Sequence, residues 1–441
     1  MIEEKSKNNF SIYLLAIGTS VSLGNLWRFP YIVGENGGGL FIVIYLILCF
    51  VLGFPLLVGE LLVGERIKNN LMLFYQNRRN LGLVLFLGLF VLSYYSVISG
   101  WVLYFLTQFS VRFFHISSGE SYGIQALLHN GLVQWMLSSV HLILVVILIR
   151  KNAFSLISKW IKFLVPLFFL VFFLLLMQTL SLPSRDEALR FLFYPEFDNF
   201  KLSSLGVIIG HVFFTFSIGF GTLLTVGSFF KEEDAIPVIG FRIALFDLIV
   251  SLLSLMIVFP IAFLVTNRSL KDPALFFDVL PLFFSQLKGG GLIGLVFFLF
   301  FYVSALNMTL SVFQSLINHL KVLLPKRKEE SLTYALALVL LVLSGIFALS
   351  TNSFYHLRFH NKGLIELFDT SLIQWFLPIL VLVLLRKTIT FSAQFDFRDK
   401  FQRITDENLP VTFAQWSFFV KNICPYLIAL GLALQVIEIL F

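Results

Sequence analysis

Cysteine and charge are what this chain has least of. Its two cysteines, Cys49 and Cys424, both fall in apolar stretches, which argues against a disulfide framework or a cysteine metal cluster. Charged residues make up 13%, hydrophobic residues make up 58% and the mean hydropathy is +0.91. Soluble domains carry roughly 25% charged residues, so one globular core cannot hide this much apolar surface. Signatures of a membrane enzyme are also missing. The sequence has no HExxH, no phosphate loop and no Ser–His or paired intramembrane Asp arrangement. His115, His129, His141, His319, His356 and His360 are scattered in loops or stand singly on helices. The formal charge of +7 resides in short loops between apolar runs, which assigns it to membrane topology and excludes nucleic acid as a partner.

What the chain has instead is a series of runs each able to cross a bilayer, about 20 residues apiece. In lipid a spanning segment must satisfy its own backbone, so these runs read as helices. They fall near 11–33, 39–64, 82–111, 132–150, 159–181, 205–230, 239–266, 290–320, 331–350, 364–386 and 417–441. The expectation is an all-α polytopic protein of about eleven spans forming a single domain, 1–441. The polar first ten residues, followed by a long apolar stretch without a small-residue cleavage site, read as a retained span rather than a signal peptide. With the N-terminus in the cytoplasm, roughly 22 of the 32 Lys and Arg lie inside, among them Arg66, Lys68, Arg78, Arg79, Arg150, Lys151, Lys326, Arg327 and Lys328, and about nine lie outside. The longest polar segments are 182–204 and 387–410. The second reads either as an amphipathic strip on the cytoplasmic surface or as a solvated connector.

Two spans are interrupted. Gly18, Ser20, Ser22, Gly24 and Asn25 fall in the middle of the first, and Ser217, Gly219 and Gly221 in the middle of the sixth. Paired interruptions in two five-span halves point to a transporter's binding site, where half-helix N-termini face an anion and freed carbonyls face a cation. The competing explanation is that small residues merely let helices pack closely.

The run from Gly18 to Tyr31, GTSVSLGNLWRFPY, followed by Glu35-Asn36-Gly37-Gly38-Gly39, closely resembles the signature of the neurotransmitter:sodium symporters. Gly53, Pro55, Glu60, Tyr94, Tyr95, Trp101 and the stretch Phe213–Gly221 extend the likeness over most of the first seven spans, and it fades after the eighth. The broken-span rule is itself drawn from this fold, so breaks and signature count as one observation. The resemblance implies two inverted five-helix repeats (LeuT-like), 11–181 and 205–386, with an extra span at 417–441. It also implies a plasma-membrane carrier that is a monomer or weak homodimer, with an amino acid and the lipid bilayer as partners.

For the substrate, the resemblance implies a carboxylate on the backbone N–H groups of Leu23 and Gly24 with the Tyr95 hydroxyl donating to it, an anion on a helix N-terminus. The ammonium would face carbonyls of Ser20, Phe214 and Thr215, assisted by Ser217. Val91, Tyr95, Phe214, Phe220 and Val312 would surround the side chain. Met308 would intrude and favour a small or flexible ligand. Amine carriers place an aspartate where this chain has Thr19, so a neutral, hydrophobic amino acid is expected.

Sodium demands hard oxygen ligands. At a first site the resemblance places the Ser20 carbonyl, Asn25, Thr215, Asp247 and the substrate carboxylate, which would couple ion to substrate. At a second it places Gly18, Val21, Ser304 and Asn307, with Asn307 and Met308 standing where the family has a hydroxyl pair. Either that site is weakened, or one ion suffices, or the register of span 8 is shifted. The chloride positions hold Tyr45, His211, Thr215 and Ser251. Beside them Asp247 supplies a fixed negative charge, so chloride is not expected to be required. His211 is read as structural, or as a titrating group in a proton-coupled step.

The gates depart from the family. Arg28 is present, but Leu372 holds the expected acid position, with Asp369 one turn earlier. Inside, Val322 replaces a carboxylate, and the N-terminal basic-plus-tryptophan motif is missing. The leading expectation is sodium-coupled symport without an organic cofactor. A proton-coupled or single-ion carrier and a non-transporting amino-acid sensor are the alternatives.

Overall fold

The structure is a computed structural model, and it describes residues 23–68, 70–114, 123–151, 154–195, 197, 200–266, 275–352, 362–402 and 411–440. The site expectations on Gly18, Thr19, Ser20 and Val21 lie outside the described residues. The described chain is helical. It starts with a π-turn, Gly24–Arg28, that continues into α1, Phe29–Glu35. There follow α2 (Gly39–Ile67), α3 (Arg78–Phe113), α4 (Gly131–Arg150) and α5 (Phe154–Thr179). The sixth run is split into α6 (Ser204–Thr215) and α7 (Thr222–Gly227). The remainder are α8 (Ile236–Thr266), α9 (Gly290–Leu323), α10 (Glu329–Ser350), α11 (Leu364–Gln394) and α12 (Phe413–Glu438). Eight of these are long and apolar enough to cross a membrane on length and composition: α2, α3, α4, α8, α9, α10, α11 and α12. Their ends match the expected spans to within a few residues, except that α11 runs eight residues further.

Prolines shape the spans. Among the described residues four π-turns occur, Gly24–Arg28, Cys49–Gly53, Thr370–Phe376 and Phe419–Ile423, and each is followed two residues later by Pro30, Pro55, Pro378 or Pro425. A proline lacks an N–H and its ring crowds the carbonyl four residues back, so the helix widens ahead of it. In lipid the freed carbonyl needs another donor. In three of the four cases a different helix provides it. The Ser254 hydroxyl donates to Leu26 O at 3.4 Å, and the Cys424 thiol to Val51 O at 3.7 Å. Gln435, with its amide oriented to suit its neighbours, donates to Gln374 O at 3.2 Å.

α3 packs along α9 in an antiparallel register that their glycines reveal. A Cβ on Gly294 would meet the Phe109 ring at 2.4 Å, and one on Gly88 would meet Leu316 at 2.7 Å. That register sets Val91 level with Val312 and Tyr95 level with Met308. The short helix α7 lies against α2 at a glycine pair, Gly64 and Gly227.

The polar segment 182–204 is partly folded. Helix Arg185–Phe193 covers one end of α8, with the Ser184 hydroxyl donating to Pro260 O at 2.6 Å and Phe191 stacked on Phe259. The described part of 387–410 has an exposed polar face, at Asp396, Arg398 and Asp399, and a buried one. α11 extends through Gln394, and the short helix Arg398–Gln402 turns inward, with Lys400 only 4% exposed, 3.3 Å from buried Glu65 and donating to Glu232 O at 2.7 Å. Buried aromatics Phe397 and Trp416 beside Lys400 explain the docking of that one face, because burying their rings removes apolar surface from water.

The glycine contacts yield a direct expectation. Gly227→Val would drive its Cβ to 2.4 Å from Leu61 O and should cost about 1–3 kcal/mol by overpacking, lowering Tm by several degrees in detergent. Gly82→Ala, whose Cβ meets nothing within 4 Å, should leave Tm unchanged or raise it slightly.

Candidate functional site in the broken spans

The interruption of the sixth run is built from the residues the sequence singles out. Between α6 and α7 the chain adopts positive φ at Ser217 (56°), Gly219 (85°) and Gly221 (70°). Ser217 is in the left-handed region without being glycine, a conformation that costs energy and so requires surrounding support. Its carbonyl accepts from the Thr222 hydroxyl at 3.2 Å, the Phe220 carbonyl from Ser315 at 3.1 Å, and the Gly219 N–H donates to Glu60 at 2.8 Å. At Gly221 the ring of His319 lies where a Cβ would go, and its Nε2 faces the Tyr75 hydroxyl at 2.9 Å.

On one side of this break, the residue just before the first π-turn meets α3. The Leu23 N–H donates to the Tyr95 hydroxyl at 3.3 Å. These are two of the groups expected to hold a carboxylate, and the rings of Phe214 and Phe220 lie 6.2 Å apart in an edge-on arrangement. Val91, Met308 and Val312 are buried at the level set by the α3–α9 register.

On the other side is a cluster of oxygens. Asp247 Oδ1 accepts from Asn25 Nδ2 at 2.8 Å and from the Thr215 hydroxyl at 2.8 Å, and Oδ2 faces the Tyr45 hydroxyl at 3.5 Å. Asn25 Nδ2 also lies 2.8 Å from Ser251 Oγ. All five residues are buried. Of the expected first sodium set, Asn25, Thr215 and Asp247 are therefore brought together. Of the chloride positions, Tyr45, Thr215 and Ser251 sit around the Asp247 carboxylate, and His211 is engaged elsewhere. Of the second sodium set, Ser304 and Asn307 are buried on α9, and both ends of the Asn307 amide are without a hydrogen-bond partner among the described residues. Such an amide is costly unless something occupies it.

Above the site Arg28 is fully buried. Its Nε donates to both oxygens of Asp369 at 3.1 and 3.0 Å, and a terminal nitrogen lies 3.0 Å from Oδ2. Its other terminal nitrogen meets His211 Nδ1 at 3.0 Å, and the guanidinium lies 5.4 Å from the centre of the Phe214 ring. Asp369 also accepts from the hydroxyls of Tyr31 and Tyr94, each at 3.0 Å. Asp369 thus faces Arg28 directly, while Leu372 is buried in the π-turn that follows. Tyr31, Tyr94, Glu60 and His319 were not picked out as site residues from sequence. The adjacent pair Tyr94-Tyr95 was a usable signal, because neighbouring helical positions point two hydroxyls in different directions.

Deep oxygens on interrupted helices, beneath a buried ion pair, are what a carrier for a small charged solute and a cation requires. A sequence profile for the sodium:neurotransmitter symporter family matches residues 3–115 and 107–440. The chain belongs to that family. Among curated relatives of this symporter, the "Uncharacterized sodium-dependent transporter YhdH" of Bacillus subtilis (strain 168) is 31% identical over 337 residues, covering 74% of this chain and 75% of its own length. A sodium-dependent transporter of Haemophilus influenzae is 26% identical over 384 residues, covering 81% and 82%. The rat sodium-dependent neutral amino acid transporter B(0)AT2 is 42% identical over 112 residues, which are 24% of this chain and 15% of the rat protein. The crystal structure of MhsT in complex with L-phenylalanine has the same fold, with a TM-score of 0.87 at 23% identity, covering 96% of this chain and 98% of MhsT. The symporter is accordingly a multi-pass membrane transporter of a sodium-dependent family and not an enzyme.

The Arg28–Asp369 pair has a clear energetic consequence. Asp369→Ala would leave a buried guanidinium without its counter-charge and should cost about 3–5 kcal/mol, read as a fall in Tm. Removing both charges, Arg28→Met with Asp369→Ala, should recover part of that loss.

Proposed function

We propose that this symporter carries a neutral, hydrophobic amino acid together with sodium across the cell membrane by alternating access, with its N-terminus in the cytoplasm. The observation that carries the reading is the adjacency of two half-sites on consecutive residues. The Leu23 N–H and Tyr95 hydroxyl offer donors to a carboxylate, and two residues on Asn25 opens the oxygen cluster with Thr215 and Asp247. A carboxylate bound at Leu23 and Gly24 would lie within reach of an ion held by Asn25, Thr215 and Asp247, with the Asn25 amide turned so that Oδ1 faces the ion. Each ligand then supplies charge for the other, which is reciprocal coupling between their affinities. Thr19 and Ser20 complete the pocket on the resemblance, with Phe214, Phe220, Val91, Met308 and Val312 around the side chain and Ser217 near the ammonium.

A second sodium is assigned to Gly18, Val21, Ser304 and Asn307. The unpartnered Asn307 amide supports this, since its oxygen is a hard ligand where the Met308 thioether is not. Chloride is not required, because Asp247 already places a carboxylate among Tyr45, Thr215 and Ser251. The Arg28–Asp369 pair is the outer gate, drawn closed.

Uptake of labelled L-phenylalanine and L-leucine into proteoliposomes tests the proposal. An inward sodium gradient should drive accumulation, potassium in its place should abolish it, and gluconate in place of chloride should leave it unchanged. Asp247→Ala should raise the sodium concentration for half-maximal binding by at least about tenfold. Accumulation that persists in potassium would sink the symport reading, and binding without counterflow would favour a sensor.

A further inference from the structure

His211 is a buried titratable group beside Arg28 that the proposed transport cycle does not use. It lies on α6, fully buried, stacked on Phe29 with ring centres 5.1 Å apart and planes 3° from parallel, and the Tyr45 ring lies 5.5 Å away, tilted by 40°. Its Nδ1 is 3.0 Å from a terminal nitrogen of Arg28. A guanidinium has only donors, so Nδ1 must supply a lone pair, and the imidazole in this contact is neutral with its hydrogen on Nε2. That Nε2 has no hydrogen-bond partner among the described residues.

A protonated ring would have no lone pair for Arg28 and would bring a second positive charge to within hydrogen-bonding distance of it. The acids nearby do not relieve this. Asp369 on α11 already accepts from Arg28, Tyr31 of α1 and Tyr94 of α3, and Asp247 on α8 accepts from Asn25, Thr215 and Tyr45. Further out, Glu35 interacts with Arg28 and Asp369 only through longer-range fields and also feels Lys362 and Glu366, which lie 3.5 Å from one another. Closed gate and imidazolium therefore exclude one another.

We propose that His211 is a positioning residue that holds the second edge of Arg28 in the closed outer gate only while its ring is neutral, so that acid on the outer side traps the gate open and slows the cycle. This rests on Arg28 and Asp369 being the outer gate. It makes the proton an inhibitor acting through gate geometry, distinct from a carried ion.

Hydrogen–deuterium exchange of segments 24–35 and 364–376, corrected for intrinsic rates, reads gate opening without requiring transport. It would be measured with sodium-driven L-leucine uptake in the same proteoliposomes at about pH 7.5 and about pH 5.5, on either side of the ordinary histidine range. Wild type should exchange about threefold faster or more at the acid pH, with uptake falling in parallel. His211→Gln, whose amide oxygen accepts from Arg28 but does not titrate, should close normally and lose the acid response. His211→Leu should exchange fast at both pH values. An equal acid response in H211Q would assign the effect to another group, and its absence in wild type would show the gate indifferent to the proton; either overturns the proposal. Exchange that behaves as expected while uptake ignores sodium would instead overturn the symport reading and leave the gate assignment standing.

Discussion

An open peptide group in hydrocarbon costs several kcal/mol, and this chain opens its helices repeatedly. It does so with prolines behind π-turns, and between α6 and α7 with three positive-φ positions at alternate residues. Every such opening creates a demand for a donor or acceptor from somewhere else in the bundle. Ser254, Cys424 and Gln435 meet it at the proline sites, and Glu60, Thr222 and Ser315 at the break. The arrangement of the helices follows from these obligations as much as from apolar packing, because lipid tails offer an apolar side chain nearly the same environment as a neighbouring helix.

The same constraint operates around the break in the sixth run. Leu23 N–H faces the Tyr95 hydroxyl, and the carboxylate of Asp247 is surrounded by Asn25, Thr215 and Tyr45. Buried charges survive here only as members of such sets. Arg28 illustrates this, held on one edge by Asp369 with its two tyrosines and on the other by His211. Lys400 is a parallel case at a different place in the fold, where Glu65 and the Glu232 carbonyl receive an ammonium that would otherwise be stranded.

Much of this was legible from the order of residues. Period and length of the apolar runs fix the spans, because a helix must cover about 20 residues to cross the bilayer. Small residues in mid-span mark a break because few other residues tolerate φ near +60° or the close approach of a second backbone. Ser217, Gly219 and Gly221 carry that signal, and so does the signature around Asn25. The partner of Arg28 was harder. The resemblance puts Leu372 at the acid position, and the structure brings Asp369, the last residue before the π-turn Thr370–Phe376, to Arg28 instead.

By itself the sequence determined that this is a helical membrane protein with small residues in the middle of its first and sixth spans, and with Asn25, Thr215, Asp247 and Arg28 as polar groups that lipid cannot accommodate singly. Only the tertiary structure decided their partners. Asp369 with Arg28, His211 as an acceptor for the guanidinium, and Lys400 folded inward onto Glu65 all join residues more than 150 positions apart. Such pairings depend on which helix lies beside which, and that is not written in local periodicity.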